Sequence, residues 1–281
     1  MIKNNLFEIK VPPAVIYNDD EETNKKQADK LYSELGVPHY TSYEYSFCWY
    51  KVNDEWYYFK SNNYNAVNEL LGEIISEYYD LDTIKYHVAK LYENNGKETY
   101  GIVSKNFCNP KYKYKNAAEY GFDIRYPKDF DFYSRVRSIC KNDDEYKNLL
   151  QEIKKLFIRD FYTQERDRYN ANLLFKESEN GISLAPLFDY ECSFFSTSPN
   201  GVYANNIGYL DINNEETKKK LRDDNYFQEL LDKLLSSDMN KFVKEVEDRH
   251  GIIVEDRDKD FFKKHDKNIK ALVKENKVKK W

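Results

Sequence analysis

The period of apolar and polar positions changes several times along this chain, and each change marks an element. Aromatic-rich runs from Tyr45 to Val52 and from Glu55 to Lys60 flank Asn53-Asp54, so the two runs predict an antiparallel hairpin. Between Asn65 and Tyr79 the apolar residues are Val67, Leu70, Leu71, Ile74, Ile75 and Tyr78. That spacing predicts a helix with one buried face and Glu69, Glu73 and Glu77 on another. Two more strands are predicted near Ile84 to Tyr92 and Thr99 to Ser104, with Asn94-Asn95-Gly96 as their turn. A short polar helix, Glu21 to Leu35, precedes all of these, with Ala28, Leu31 and Leu35 as its apolar positions and Gly36 as its stop.

After about residue 105 the pattern becomes helical. Asn109-Pro110 and a Lys/Tyr-rich loop lead to helices over Lys128 to Cys140 and Asp143 to Phe161. The second carries Asn142 and Glu145 in capping-box positions and an apolar stripe at Tyr146, Leu149, Leu150, Ile153, Leu156 and Phe157. Leu173 to Lys176 and Ile182 to Leu187 predict a short strand pair around Asn180-Gly181. From Asn214 onward the chain reads as helix, with Phe227, Leu230, Leu231, Leu234 and Leu235 on one stripe and Ile269, Leu272 and Val273 in a terminal packing helix. The outline is a small β-rich part with one helix, then a larger helical part, and many α+β proteins share it.

Composition sharpens this in a few respects. A length of 281 residues suits one large domain or two lobes sharing a cleft. The apolar fraction is only 41%, but 26 Tyr and 17 Phe bury enough area for a sizeable core. The net charge of −5, with acids and bases interspersed, disfavours a broad nucleic-acid surface. Cys48, Cys108, Cys140 and Cys192 are far apart in no metal-site spacing, the usage of a reducing compartment. The amino terminus has no apolar run suited to a signal peptide, and no stretch is long enough to span a bilayer. A soluble, cytoplasmic protein with no membrane contact is expected.

The segment richest in chemistry runs from Asp160 to Phe175 and continues from Ile182 to Tyr190. Phosphoryl transfer needs a carboxylate to orient the attacking hydroxyl and hard oxygen ligands to hold a divalent metal against the phosphates. Asp167 and Asn172, five positions apart in a tight loop, and Asp189, arriving after a hairpin, are residues of those types. The Asp-to-Asn spacing recurs at Asp19/Asn24 and Asp143/Asn148 with no such context. Only the 167/172 copy follows a long amphipathic helix, precedes an apolar strand and is answered by a second Asp. From residue types alone, a polar turn and hairpin whose Asp and Asn cap turns explains the segment equally well.

These residues carry a family resemblance. Asp160 to Phe175 resembles the catalytic loop of HipA-like kinases, D-x-x-x-x-x-x-D-R-H-x-x-N followed by two apolar residues and Phe, with Tyr169 here in place of the His. Ala185-Pro186-Leu187-Phe188-Asp189 resembles their metal-binding strand, and Trp56-Tyr57-Tyr58-Phe59-Lys60 the strand that ends in the ATP-binding Lys. The resemblance spans about residues 30 to 195. It implies Asp167 as catalytic base, Asn172 and Asp189 as Mg²⁺ ligands, and Lys60 on the ATP phosphates. Glu69 fits the family's spacing for the acid that pairs with Lys60, and Glu73, one turn later, is the reserve. Without the resemblance, Lys60 reads as a solvated strand end and the three glutamates as a solvated face.

Some features differ from the family or stay open. Gly36 to Glu44 holds a single glycine where a glycine-rich phosphate loop is expected. Thr41, Ser42 and Ser46 lie where HipA-like enzymes carry a regulatory phosphorylation loop. Arg166 and Arg168 flank Asp167, either to bind phosphate or to pair with nearby acids at the surface. The chain resembles short family members without the extra amino-terminal subdomain.

The expected fold is a two-lobed, kinase-like α+β domain. Residues 1–105 form a β-rich, nucleotide-binding lobe, and residues 106–281 form a helical lobe with the catalytic loop and metal-binding strand pair. The expected activity is ATP-dependent phosphorylation of a protein Ser or Thr, with ATP and Mg²⁺ as cofactors and an antitoxin-like regulator as partner. Two alternatives are a small-molecule or lipid-headgroup kinase and a non-catalytic, partner-binding pseudokinase.

Overall fold

The computed structural model describes residues 6–14, 21–36, 47–61, 66–121, 132–165, 168, 172–194, 206–207, 210–211 and 223–278. Five strands build one sheet: β1 (Phe7–Ile9), β2 (Phe47–Val52), β3 (Glu55–Ser61), β4 (Tyr86–Tyr92) and β5 (Glu98–Lys105), in the order β1-β4-β5-β3-β2. All neighbours are antiparallel except β1, which lies parallel to β4. Asn53 and Asp54 both take positive φ, the conformation a two-residue hairpin turn requires. Alternation gives the sheet two faces. One packs Ile9, Cys48, Tyr50, Phe59, Ala89, Leu91 and Val103 into a small cluster. The other turns Trp49 and Ile102 toward the main core.

Two helices flank the early strands, α1 (Glu21–Leu35), which stops at Gly36 with φ +71°, and α2 (Ala66–Tyr78). The apolar stripe of α2 is buried as its spacing predicts, but so are Glu69 and Glu73, at 0% and 1% exposure. Glutamates at that depth must be paired or hydrogen-bonded.

Beyond Lys105, β6 (Lys113–Asn116), β7 (Leu174–Ser178) and β8 (Gly181–Leu184) form a second antiparallel sheet in the order β6-β7-β8. Helices α3 (Phe132–Ile139) and α4 (Asp143–Thr163) follow β6, and a two-residue strand pair, β9 (Asn206–Ile207) with β10 (Leu210–Asp211), follows β8. The chain continues through α5 (Asn225–Ser236), α6 (Met239–His250) and α7 (Asp256–Val278). No described helix is long and apolar enough to cross a membrane.

Three details depart from the sequence reading. Neither β1 nor β6 is foreseen: β1 is three residues long, and β6 lies in the stretch read as a Lys/Tyr-rich loop. The capping box before α4 is half formed. Asn142 accepts from the Glu145 N–H, but the Glu145 carboxylate accepts from the Lys141 and Ile182 backbones and so ties α4 to β8. Arg168 is not a surface residue; it is 3% exposed.

The two sheets meet through the segment after β8. Leu187 bridges to Thr83 and bonds the two residues that flank it: Ile84 N–H donates to Leu187 O at 3.0 Å, and Leu187 N–H donates to Asp82 O at 2.9 Å. This seam carries Phe188 and Asp189 beneath the inner face of the first sheet.

Candidate active site

Lys60 closes β3 on the inner face and is 5% exposed. Its neighbour across the ladder is Ile102, and the next pair is Ser61 with Gly101. A Cβ on Gly101 would meet the Lys60 carbonyl oxygen at 2.0 Å, so only glycine lets β5 approach here. The Lys60 ammonium pairs with Glu69 Oε1, with Asp189 Oδ1 at 2.5 Å and with Glu191 Oε2 at 3.4 Å. Burial alone pulls a lysine pKa down. The Glu69 and Asp189 carboxylates outweigh it here and hold Lys60 well above the ordinary lysine value.

Glu69 is fully committed. Its second oxygen accepts from the Tyr86 hydroxyl at 2.6 Å and from the Tyr190 N–H at 2.8 Å. Glu73, the reserve candidate for Lys60, lies elsewhere: it accepts from the Tyr86 N–H at 2.9 Å and from Arg249 Nη1 at 3.1 Å. Burial pushes the Glu73 carboxyl up.

Asp189 has φ +61°, a left-handed conformation uncommon outside glycine and commonest in Asn and Asp. Held backbone of this kind persists only where the surroundings over-determine it, and here they do. The Tyr190 ring lies under α2, where a Cβ on Gly72 would meet Tyr190 Cγ at 2.3 Å. The Tyr190 hydroxyl bonds with Thr83 Oγ1 at 2.6 Å and accepts from Ser76 Oγ at 3.2 Å. The guanidinium of Arg159 sits 4.1 Å from the ring centroid. Asn68, in the first turn of α2, donates to the backbone oxygens of Glu191 and Ser193 at 3.1 and 2.8 Å.

Asn172 is 1% exposed and precedes β7. Arg168 ties it to the Asp189 strand, because one nitrogen, Nη1, donates to Asn172 O at 2.9 Å and Phe188 O at 3.0 Å. The Arg168 guanidinium is in turn held by Asp160, through Nε at 3.1 Å and Nη2 at 3.4 Å. Asp167, Arg166 and Tyr169 lie outside the described residues, as do Thr41, Ser42, Ser46 and all of the glycine-poor segment after Gly36.

The donor set suits a divalent cation. Oxygens of Glu69, Asp189 and Glu191 lie within 4.8 Å of one another, and these three carboxylates face the one ammonium of Lys60. Hard carboxylate oxygens are the ligands Mg²⁺ prefers. Both Glu69 oxygens are taken, by Lys60 on one side and by Tyr86 and Tyr190 on the other.

Beside these charges opens a narrow cleft of about 50 Å³, lined by Trp49, Tyr58, Ile84, Tyr86, Ser104, Lys105, Phe107 and Phe188, with Lys60 and Asp189 also in its wall. Aromatic residues crowd it: Trp49 and Tyr58 are 5.1 Å apart, and Phe107 stacks on Phe188 at 5.9 Å. A mostly apolar cleft with a few convergent charges is the usual form of a small-molecule site.

The sequence reading missed Tyr86, Asp160, Tyr190 and Glu191 as parts of this site. Asp160 stands in the quoted motif, eight positions before Arg168, but without a role. Glu191, two positions after Asp189, has no motif at all.

No protein-family model matches the chain, and the curated proteins give no match. Among solved structures the chain is similar to the proinflammatory kinase CtkA of Helicobacter pylori, with 19% identity, 83% of this chain and 90% of that one covered, and a TM-score of 0.48. It is similar to HipA of Shewanella oneidensis, solved with HipB and operator DNA, at 11% identity, 83% and 64% coverage and a TM-score of 0.49. It is also similar to hydra Fam20, solved with a sugar, at 12% identity and a TM-score of 0.52, over 94% of this chain and 91% of that one. Matching that protein over nearly its whole length, the chain has a two-lobed, kinase-like α+β fold.

Proposed function

We propose that this protein is an ATP-dependent phosphotransferase acting on a Ser or Thr hydroxyl of a protein. One observation carries the reading: Lys60, Glu69 and Asp189, the last 129 positions from Lys60, meet at a buried point beside an aromatic cleft. Lys60 binds the ATP phosphates as a compact cation. Glu69, anchored by Tyr86 and Tyr190, positions it. Asn172 and Asp189 are the ligands expected to hold Mg²⁺, which supplies neutralisation of charge on the phosphate oxygens when bound. Asp167 accepts or orients the proton of the attacking hydroxyl. On this reading residues 1–105 carry the nucleotide and residues 106–281 the catalytic loop.

Labelled ATP, Mg²⁺ and a cell lysate test it, with phosphosites mapped afterwards. Asp167→Ala lowers transfer by about 10²–10⁴-fold while ATP binding is kept. Asp189→Ala loses metal-dependent nucleotide binding as well. Full activity in either variant overturns the role assigned to that residue. If the wild-type protein neither binds ATP nor transfers phosphate, a partner-binding module without catalysis replaces this reading. Aminoglycosides, free sugars and inositol headgroups belong in the substrate panel; the sugar in the hydra Fam20 structure motivates the second of these. Co-purification from the native cell tests for an antitoxin-like regulator.

A further inference from the structure

Glu191 brings a further acid to the point where Lys60 and Asp189 meet, and the function proposed above gives it no part. Its Oε2 lies 3.4 Å from the Lys60 ammonium. Asn68 of α2 fixes this stretch of chain by donating to the backbone oxygens of Glu191 and Ser193. The side chains of Glu69 and Asp189 are 0% and 10% exposed, whereas that of Glu191 is 26% exposed. Of the three carboxylates it is the one most open to a ligand entering from solvent.

Charge decides what that ligand is. Glu69, Asp189 and Glu191 bring three negative charges within 4.8 Å of one another, against the one positive charge of Lys60. Carboxylates held this close, away from bulk water, repel one another unless cations offset them. Glu69 neutralises Lys60, and its second oxygen is spent on Tyr86 and Tyr190. Asp189 and Glu191 then carry two negative charges, which one divalent cation balances. The need for that cation grows once Lys60 turns to phosphate, since both acids then lose part of its ammonium. Asn172, the other expected ligand, is neutral and leaves this count unchanged. A cation such as Mg²⁺ is typically held by one or two carboxylates together with the phosphates of the substrate.

We propose that Glu191 is a second anionic ligand of the divalent cation, acting beside Asp189. This rests on the metal and nucleotide binding proposed above, and it names the residue that makes nucleotide binding depend strongly on metal.

The test measures ATP binding twice, in EDTA and in excess Mg²⁺, on wild-type protein, Glu191→Gln and Glu191→Asp. Glutamine keeps the shape of the side chain and removes its charge. Losing one group that supports a bound metal lowers metal affinity by about 10–100-fold. The expected result is that Glu191→Gln weakens binding in Mg²⁺ by about tenfold or more without weakening binding in EDTA. Glu191→Asp, which keeps the charge, recovers part of the loss. The inference is overturned if Glu191→Gln binds ATP in Mg²⁺ as tightly as wild type or more tightly, the mark of an acid that only repels phosphate. Equal weakening in both media overturns it too, since Glu191 would then serve only to hold Lys60. A wild-type protein that binds ATP equally well in EDTA and Mg²⁺ overturns this inference and leaves nucleotide binding standing. If wild type binds ATP in neither medium, the phosphotransferase reading itself fails and takes this inference with it.

Discussion

Arg168 stands next to the proposed base in sequence, yet its guanidinium is used inside the protein. Asp160 holds two of its nitrogens, and the third links Asn172 to Phe188, so this one side chain joins the loop to the strand that carries Asp189. Both partners are 3% exposed, and breaking a buried ion pair by removing one charge costs about 3–5 kcal/mol. Asp160→Asn is therefore expected to lower the unfolding free energy by that amount, seen as a lower urea midpoint with m unchanged, and to weaken nucleotide binding through the displaced Asp189. Arg168→Lys fares little better, since a lysine cannot reproduce the fork. An unfolding free energy within about 0.5 kcal/mol of wild type would show that the pair adds nothing. The motif in the sequence displays Asp160 and Arg168 as letters; which of them touches the other, and that neither faces solvent, is a matter of packing.

At the scale of elements, α2 is the piece on which the site depends, and two of its contacts are testable. Gly72 interrupts a good helix, where alanine would normally gain about 1 kcal/mol. Its lack of a side chain is what admits the Tyr190 ring. Gly72→Ala is expected to lose about 1–2 kcal/mol net, because overpacking outweighs propensity, and to reduce ATP affinity as Tyr190 and Asp189 shift. Denaturation and a binding isotherm check the two parts separately. The other contact is with α6, whose Arg249 reaches Glu73 at 3.1 Å and Glu77 at 2.8 Å. The neighbouring His250 has its pKa lowered to about 4 by burial, then by the charges of Arg249 and His87, with Glu77 opposing. A histidine depressed in the fold is neutral there while the unfolded chain takes up protons. Its contribution is thus fully present above pH 6.5 and is lost as pH falls toward 4. With the ring partly exposed, the loss is about 1 kcal/mol. Melting curves from pH 7 to 4 should fall more steeply for wild type than for His250→Phe.

At the scale of the whole molecule, the candidate site lies where the two sheets are stitched at Thr83 and Leu187, and its charges come from β3, α2 and the segment after β8. A ligand that binds such a junction stabilises the entire fold. Mg²⁺-ATP at one hundred times its Kd is expected to add about 2.7 kcal/mol, a rise in Tm of about 5–10 °C. Asp189→Ala should lose most of that rise, and a wild-type Tm indifferent to Mg²⁺-ATP would count against nucleotide binding altogether. Periodicity by itself determined the amphipathic face of α2, the hairpin around Asn53-Asp54, the strand pair before Asp189 and the long α4, because each of these depends on residues a few positions apart. Short elements such as β1 and β6 escaped, since three or four residues carry no period and gain their stability from the strand beside them. Tertiary structure alone decided that Lys60 is buried rather than solvated, that Glu69 and not Glu73 meets it, and that Glu191 joins Asp189. The physical reason is that a charge gains or loses its partner through packing between elements: Asp189 lies 129 positions from Lys60, and even Glu69, nine positions away, meets it only because α2 packs against β3, which no local pattern encodes.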